Sequence, residues 1–337
     1  MPESDCPGSF QLPLAWAYNL TGDFCHFFCL DKRHFITGFK EEMKLKYEMK
    51  PLTDEEAEAI GKKISEYADS MAPNEPHTEE EQLVFKIENE EGRMIAGCVL
   101  NIHLWGRAVL AQLWADEQYR GQGLGSTLIH TAQKAAREKG CYYLCLGTLD
   151  FMARPLYEKH GFKVFTENID LPKGHTGWSM SKRLDKEIPD YIPTNNSAVQ
   201  RFKVLHGTKE DAKIIDEGLD RYCDRFIVTP EDNDIPLGRK LVDKGGKMIA
   251  AVLAELDADE STDINGVWVE EPYRKQGLGS YLLGKVEKEA KDKGTYLFIG
   301  NACDWNIDFF RKNGYTVRGE LEDYPKGHTA YEIEKRI

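Results

Sequence analysis

Residues 117–140 read EQYRGQGLGSTLIHTAQKAAREKG, and residues 271–294 read EPYRKQGLGSYLLGKVEKEAKDKG. Each stretch has an acidic residue, Tyr-Arg, a glycine-rich turn and an amphipathic segment that ends in Lys-Gly. Glycine lets the backbone bend sharply and approach a ligand, and the first N–H groups of a helix have no acceptor within the helix. Two such turns at helix starts predict two anion sites, each suited to a pyrophosphate.

The repeat extends beyond the two turns. LPKGHTGWSMSKRL at residues 171–184 recurs as YPKGHTAYEIEKRI at residues 324–337. The register between the two halves is nearly constant, which indicates duplicated domains rather than a solenoid of many short units. We call residues 43–184 the first copy and residues 201–337 the second copy.

The remaining segments flank these copies. Residues 185–200 are rich in Pro and Asn and are interpreted as a linker. Residues 1–42 show neither helical nor strand periodicity and no signal-peptide pattern. We expect them to be disordered or untranslated, with Met43 as the first residue, because the first copy begins directly after it.

Both copies show the same order of predicted elements. A strand and a helix are followed by three strands, the glycine turn with its long helix, a strand, a short helix and a final hairpin. Thr53 and Thr208 directly precede the first helices, and acidic first turns follow them, so both are predicted N-caps. The order β-α-β-β-β-α-β-α-β predicts a mixed α/β domain.

The composition limits the classes of partner. Apolar residues make up 41% and charged residues 30% of the 337 residues, which is typical of globular domains with enough apolar material for two cores. No apolar run approaches the ~20 residues that span a bilayer. The net charge of -13 argues against nucleic-acid and anionic-membrane partners, which need basic patches.

The eight cysteines do not suggest disulfides. Cys141 and Cys145 are four residues apart on a predicted strand, ~13 Å, which is too far for a bridge. Cys25 and Cys29 with two nearby histidines have a metal-like spacing, but no second pair completes a tetrahedral zinc site, so we expect no metal. This usage favours a reducing, cytoplasmic location.

The surroundings of the turns narrow the kind of phosphate site. A Walker loop needs Gly-Lys-Ser/Thr, and a Rossmann turn belongs to a parallel βαβ unit near the start of a domain. Here an arginine leads the turn, several strands precede it, and ARPLYEKHGF follows at residues 153–162. With this pattern both copies resemble the GNAT superfamily of acyl-CoA N-acyltransferases. The resemblance implies two tandem domains, each a mostly antiparallel central sheet flanked by helices.

The resemblance also implies acetyl-CoA as co-substrate, with its pyrophosphate on the turn amides and its pantetheine arm along the preceding strand. In the first copy the implied residues are Trp114, Ala115, Arg120, Gly121, Gln122, Gly123, Leu124, Gly125 and Ser126. In the second copy they are Trp268, Val269, Arg274, Lys275, Gln276, Gly277, Leu278, Gly279 and Ser280. Core packing is an alternative or additional role for both tryptophans. Lys275 replaces the first glycine, which is tolerable if that position does not have a positive φ.

The implied reaction is direct attack of an amine on the thioester. Most of a lysine-like amine is protonated at pH 7, so a proton must be removed. Tyr157 occupies the position of the family's general acid, which protonates the departing thiolate; packing is the alternative role. Phe310 falls opposite Tyr157, and Cys303 falls opposite Asp150, so the second copy lacks the acid.

Other polar residues have more than one interpretation. Glu117 is a candidate base or a solvated charge. His103 can face the acceptor cleft or the solvent, and His175 and His328 can hold the hairpin or line the cleft. The acidic loops at 73–82 and 229–236 favour a cationic acceptor, or are merely solvated.

The sequence thus predicts an acetyl-CoA-dependent N-acetyltransferase, active in the first copy, that modifies a small cationic amine. The alternatives are a lysine acetyltransferase acting on a protein and a non-catalytic acyl-CoA-binding or regulatory protein. We expect a monomer whose two copies pack as an intramolecular pseudo-dimer.

Overall fold

The computed structural model describes residues 46–72, 78–186, 202–227 and 234–337, and within these ranges the chain forms six α-helices and fifteen strands. The helices are α1 (Asp54–Met71), α2 (Leu124–Glu138), α3 (Arg154–Lys159), α4 (Lys209–Cys223), α5 (Leu278–Asp292) and α6 (Ile307–Lys312). The strands are β1 (Glu48–Pro51), β2 (Glu81–Glu88), β3 (Met94–His103), β4 (Arg107–Ala115), β5 (Tyr143–Leu149), β6 (Lys163–Ile169), β7 (Thr176–Arg183), β8 (Val204–His206), β9 (Ile235–Pro236), β10 (Arg239–Val242), β11 (Met248–Leu256), β12 (Ser261–Val269), β13 (Leu297–Cys303), β14 (Thr316–Glu322) and β15 (Thr329–Arg336).

All of these strands belong to one sheet. Its order is β1-β10-β11-β12-β13-β15-β14-β6-β7-β5-β4-β3-β2-β8, and β9 pairs with β11 beside this path. The pairs β4–β5 and β12–β13 are parallel, and the other pairs are antiparallel. The predicted mixed α/β class with a mostly antiparallel sheet flanked by helices is confirmed.

The first strand and helix of each copy pack on the sheet of the other copy. Strand β1 pairs with β10, and β8 pairs with β2. Helix α1 buries Ile60 and Ile64 against Trp268 of β12, and α4 buries Ile215 against Val99 of β3. The copy boundaries at 43–184 and 201–337 stay a prediction about the repeat; in space the two copies interlock.

Both exchanged helices start as the sequence predicts. The hydroxyl of Thr53 accepts from the Glu56 amide while the Glu56 carboxylate accepts from the Thr53 amide, and Thr208 and Asp211 form the same box on α4. Such boxes satisfy two amides that a helix leaves without partners. The prediction of both N-caps is confirmed.

An aromatic cluster fills the junction between the copies. Tyr324, from the hairpin of the second copy, is fully buried against Tyr142 and Tyr143 at the start of β5. The Tyr143 hydroxyl donates to the Glu322 carbonyl at 2.8 Å. This cluster, together with the continuous sheet, joins the two halves into one body.

Three sequence predictions lie outside the described residues. They concern residues 1–42 with the start at Met43, the greater part of the linker at 185–200, and much of the two acidic loops.

Candidate active site

Strands β4 and β5 are parallel neighbours that part halfway along their length. Their pairing covers only Arg107–Val109 on β4 and Tyr143–Cys145 on β5. Against β3, the register of β4 shifts so that Ala111 is left out as a bulge. Beyond the bulge, none of the described strands pairs with the β5-facing backbone of β4, which leaves an edge that an extended ligand can pair with.

A cleft of about 580 Å³ opens at this point. Its lining includes residues from β4, from the turn and from α3, which the fold brings together from distant parts of the sequence. Of the predicted residues of the first copy, the lining includes Trp114, Ala115, Arg120, Gly121, Gly123, Leu124, Gly125, Ser126 and Tyr157. Gln122 is not part of the lining; its side-chain amide donates to the Gln118 carbonyl at 3.3 Å.

The glycine turn has the geometry of an anion site. Gly121 and Gly123 have φ values of 75° and 88°, in the left-handed region that favours glycine. Gly123 is the N-cap of α2 and offers no side chain to the first amides of that helix. These amides and the helix dipole therefore face the cleft without an internal competitor for an anionic group.

Tyr157 lies in the apolar part of the cleft, on α3. The side chain is buried and packs edge-on against Phe162. Burial, with a smaller contribution from Cys98, raises the pKa of Tyr157 above its ordinary value. The phenol therefore keeps its proton at neutral pH, which a general acid requires.

Glu117 lies at the rim of the cleft. Its carboxylate is half-exposed and forms ion pairs with Arg120, at 3.7 Å, and with Arg225 of the second copy. It is not among the residues that line the cleft. Its role as a base stays a prediction.

The second copy supplies one wall of this cleft. Leu219 and Tyr222 of α4 line it, and the Arg120 guanidinium lies 4.7 Å from the centre of the Tyr222 ring. The Tyr222 hydroxyl donates to the Phe151 carbonyl at 3.0 Å, and Phe226 stacks on Phe151 at 4.6 Å. Sequence reasoning missed this wall, because nothing in the repeat indicates that the first helices are exchanged.

The corresponding turn of the second copy differs in backbone strain. Gly277 is the N-cap of α5 with φ 76°, and the Arg274 Nε donates to the Val269 carbonyl at 3.0 Å, as Arg120 does to Ala115. Lys275, however, has φ 63°. The condition under which a lysine is readily tolerated here is therefore not met, and a side chain in the left-handed region costs about 1–2 kcal/mol.

Backbone hydrogen bonds show which residues of the two copies correspond. They confirm that Phe310 corresponds to Tyr157 and correct the residue assigned to the position of Asp150. The amides of His160 and Asn313 donate to the carbonyls of Tyr157 and Phe310, so these two aromatic residues are equivalent. Phe310 is fully buried.

The amides of Asp150 and Asp304 donate to the equivalent carbonyls of Thr176 and Thr329. Asp304 therefore corresponds to Asp150, and the assignment of Cys303 to that position is wrong. The second copy is one residue shorter in the segment between this aspartate and the short helix.

None of the three histidines considered from the sequence, His103, His175 and His328, is among the residues that line the cleft. His103 ends β3 beside Arg107, at the opposite end of β4 from the turn, and burial with Arg107 lowers its pKa to about 3. Its side chain is only 14% exposed. Although Glu80 is 3.8 Å away, the neutral imidazole forms no ion pair with it.

The two histidines of the Gly-His-Thr turns have structural contacts. His175 Nδ1 is 3.0 Å from an oxygen of Asp150, and His328 Nδ1 is 3.1 Å from Asp304. Each imidazole thus ties its hairpin to the loop after the preceding strand, which is the first of the two roles predicted for it.

In the described ranges, no group of three or more His, Cys, Asp and Glu side chains is arranged to hold a metal ion. None of the described helices combines the length and the apolar character needed to cross a membrane.

Comparison with known proteins gives consistent matches. A family model described as "Acetyltransferase (GNAT) family" matches residues 48–162 and 206–315. Blasticidin-S acetyltransferase of Streptomyces morookaense is 35% identical over 96 residues, which are 28% of this chain and 70% of that protein. Thialysine N-epsilon-acetyltransferase of Bos taurus is 33% identical over 96 residues, covering 25% and 56% of the two chains. Beta-lysine N(6)-acetyltransferase of Methanococcus maripaludis is 32% identical over 83 residues, covering 23% and 30%.

Solved structures match as well. An acetyltransferase from Bacillus cereus ATCC 14579 is 32% identical with a TM-score of 0.37, covering 40% of this chain and 95% of that chain. An aminoglycoside 6'-N-acetyltransferase complexed with coenzyme A is 16% identical with a TM-score of 0.28, covering 29% and 71%.

Proposed function

The chain belongs to the acetyltransferase (GNAT) family, and from this membership we propose that its first copy transfers the acetyl group of acetyl-CoA to a primary amine. The observation that carries the proposal is the cleft of about 580 Å³, which joins the turn amides, the unpaired edge of β4 and Tyr157.

The residues present fit acetyl-CoA. The amides of residues 121–126 would hold the pyrophosphate, since they lie at the start of α2 without a side-chain cap. The free edge of β4 at Trp114 and Ala115 would pair with the amides of the pantetheine arm. When bound, acetyl-CoA supplies the activated acyl group.

The chain's own residues would then transfer two protons, one to the departing sulfur and one from the attacking amine. Attack of the neutral amine on the thioester carbon forms a C–N bond and breaks the C–S bond. Tyr157 donates its phenol proton to the departing sulfur, and the proton lost by the amine leaves through a base. Tyr157 regains a proton from solvent. The acetyl group thus leaves on the amine, coenzyme A leaves as the free thiol, and the enzyme returns to its starting protonation state.

The relatives point to the class of acceptor. Their names refer to blasticidin S, beta-lysine and thialysine, and the last two names specify an amine nitrogen. Together with the net charge of -13, this supports a small cationic amine. An acetyltransferase acting on protein lysines stays the alternative.

The second copy is proposed to be catalytically silent. Phe310 has no proton to donate where the first copy has Tyr157. Its turn keeps the two last glycines and the arginine of the first turn, which leaves coenzyme binding open as its role.

The first test is Tyr157→Phe. We expect turnover to fall about 10²-fold or more, because the acid is lost while the ring's packing is kept, with acetyl-CoA affinity nearly unchanged. The measurement is coenzyme A release with a panel of beta-lysine, thialysine, 1,4-diaminobutane and blasticidin S.

Tyr296→Phe is the matched control, since it removes a phenol that bonds to the Asp170 carbonyl far from the cleft. Equal turnover in wild type and Tyr157→Phe would contradict the assignment of the acid. No coenzyme A release from wild type with any amine would contradict the proposed function.

A further inference from the structure

Helix α4 of the second copy lies directly on the strand that carries the cleft. Gly218 faces Trp114 so closely that an added Cβ would be 2.4 Å from the indole nitrogen. A residue with a side chain there would push the helix away from β4. The close approach accompanies Leu219 and Tyr222 of α4 in the lining of the first copy's cleft, so their neighbours on α4 lie next to lining residues.

Two aspartates are among these neighbours on α4. Asp216 is only 8% exposed and accepts a hydrogen bond from the side-chain amide of Gln112, which is itself 7% exposed. Gln112 adjoins the bulge of β4 and precedes Leu113, which lines the cleft. Asp220 lies one helical turn further on and directly follows Leu219, which also lines the cleft.

Among the described residues, the groups that act most strongly on the Asp216 carboxylate are the anionic Asp220 and Glu217 and the neutral Gln112. On α4 itself, Arg221 pairs with Glu217. On the strands beneath, Gln112 of β4 is neutral, and Lys86 of β2 is paired with Asp211 and Glu88. Burial, followed by Asp220, raises the pKa of Asp216 to about 6. Burial and Asp224 also raise the pKa of Asp220. With a pKa of about 6, the Asp216 carboxylate is mostly ionised at neutral pH and still accepts a proton readily.

The equivalent helix of the other copy carries no such pair. Counting from the N-caps Thr53 and Thr208, the positions of Asp216 and Asp220 are Gly61 and Ser65 on α1. At the position of Gly218 stands Lys63, whose ammonium lies 5.7 Å from the ring centre of Trp268 and pairs with Glu270.

Helix α4 thus carries two aspartates next to residues of the first cleft, whose own charged lining residues are Arg120 and Lys159, at positions where α1 carries Gly61 and Ser65. The two carboxylates of α4 would attract a cationic amine, and α1 has no carboxylate at these two positions. The difference parallels the difference between Tyr157 and Phe310.

We propose that Asp216 and Asp220, supplied by the second copy, form the acceptor subsite of the first copy, with Asp216 as general base and Asp220 as the anchor for a second positive charge. The inference rests on the proposed function. Asp216 takes one proton from the bound ammonium, which leaves the neutral amine to attack, and passes this proton to solvent. Side chains one turn apart on a helix are about 6 Å apart, which fits a small diamine.

The test compares three variants of the full chain. We expect kcat/KM of wild type for 1,4-diaminobutane to fall below about pH 6. Asp216→Asn should lower kcat/KM about 10²-fold or more and should abolish this fall. Asp220→Asn should raise KM for 1,4-diaminobutane about tenfold and leave KM for 1-aminobutane nearly unchanged.

Glu217→Gln is the matched control, because it removes one charge from the same helix at a side chain that is 68% exposed. Asp216→Glu keeps a carboxylate and should keep the acidic limb of the pH profile. The affinity for coenzyme A, measured by calorimetry, should be the same in all variants and reports that each is folded.

The two proposals fail in different ways. If wild type turns over 1,4-diaminobutane and Asp216→Asn matches Glu217→Gln in rate and pH profile, the acceptor subsite is overturned and the proposed function stands. If wild type acetylates no amine, the proposed function fails, and the subsite is judged by calorimetry of 1,4-diaminobutane in the presence of coenzyme A. Binding about tenfold weaker in Asp216→Asn and Asp220→Asn supports the subsite, and unchanged binding overturns it.

Discussion

Asp216 is a buried carboxylate whose charge opposes folding. Its pKa is raised to about 6, from an ordinary value near 3.8, mainly because burial removes water from the ionised form. The folded state therefore holds this proton more tightly than the unfolded state does. The stability that the group contributes is fully present below about pH 4 and is lost as the pH rises through about 6.

Asp216→Asn should thus stabilise the protein above pH 7 while it lowers turnover. Asparagine is neutral at every pH and can still accept the hydrogen bond from Gln112. We expect a gain of about 1–2 kcal/mol in the free energy of unfolding at pH 8, with little gain at pH 4. Urea denaturation at the two pH values measures it, with Glu217→Gln as control. A variant less stable than wild type at pH 8 would show that the carboxylate has a compensating partner.

The glycine turns that lead into α2 and α5 can be perturbed by the same substitution with similar crowding. A Cβ at Gly125 would be 3.3 Å from Leu156, and a Cβ at Gly279 would be 3.3 Å from Phe309. An aspartate at either position therefore causes similar crowding and puts a negative charge where an anion is expected. Any difference between the two variants reports the role of the turn rather than the fit of the side chain.

Gly125→Asp should reduce turnover about 10²-fold or more, and Gly279→Asp should retain most of it. The reason is that Phe310 leaves the second turn without an acid, so its anion site can serve binding alone. Steady-state kinetics measures turnover, and calorimetry with acetyl-CoA counts binding sites. Gly125→Ala adds bulk without charge and is the control. Equal losses in the two aspartate variants would contradict the division of roles between the copies.

The sequence predicts elements better than it predicts their partners. The capping residues Thr53 and Thr208 and the glycine turns act locally, so their positions follow from short patterns. The exchange of β1 and β8 does not, because both strands are short, come from equivalent parts of the repeat and fit either sheet by pattern alone. Which sheet each joins depends on the connections and on the packing of α1 and α4.

The same limit explains what was missed in the cleft. Tyr157 and the turn lie within one copy, and the family pattern around them is continuous in sequence. Asp216 and Tyr222 are a hundred residues or so from Gln112 and Arg120, and they meet them only through the exchange. Lys275 shows a further limit, since a lysine in the left-handed region has no signature in the sequence.

At the scale of the whole molecule, the two halves depend on each other for secondary structure and for the site. The half of the sheet in each copy has an edge strand and a packed helix from the other copy. The hairpin that carries Tyr324 fills the junction between the halves. Duplication within one chain keeps these partners at a high effective concentration. That the chain is a monomer in solution stays a prediction.

Strand β6 of the first copy and strand β14 of the second copy pair at one position, where Gly319 is opposite Thr166. A Cβ on Gly319 would lie 1.9 Å from the Thr166 hydroxyl and 2.4 Å from the Phe165 carbonyl. The backbone carbonyl cannot move aside as the end of a flexible side chain can. A single added methyl group at Gly319 would therefore push β14 away from β6.

Gly319→Ala should destabilise the protein by about 2–3 kcal/mol, because overpacking must separate β6 from β14. Gly284→Ala is the matched control: this glycine lies in α5 with no atom within 4 Å of an added Cβ, so the same substitution should be neutral or stabilising by about 0.5–1 kcal/mol. Urea denaturation followed by circular dichroism and by tryptophan fluorescence measures both variants. Indistinguishable midpoints for the two variants would mean that β6 and β14 do not meet in solution.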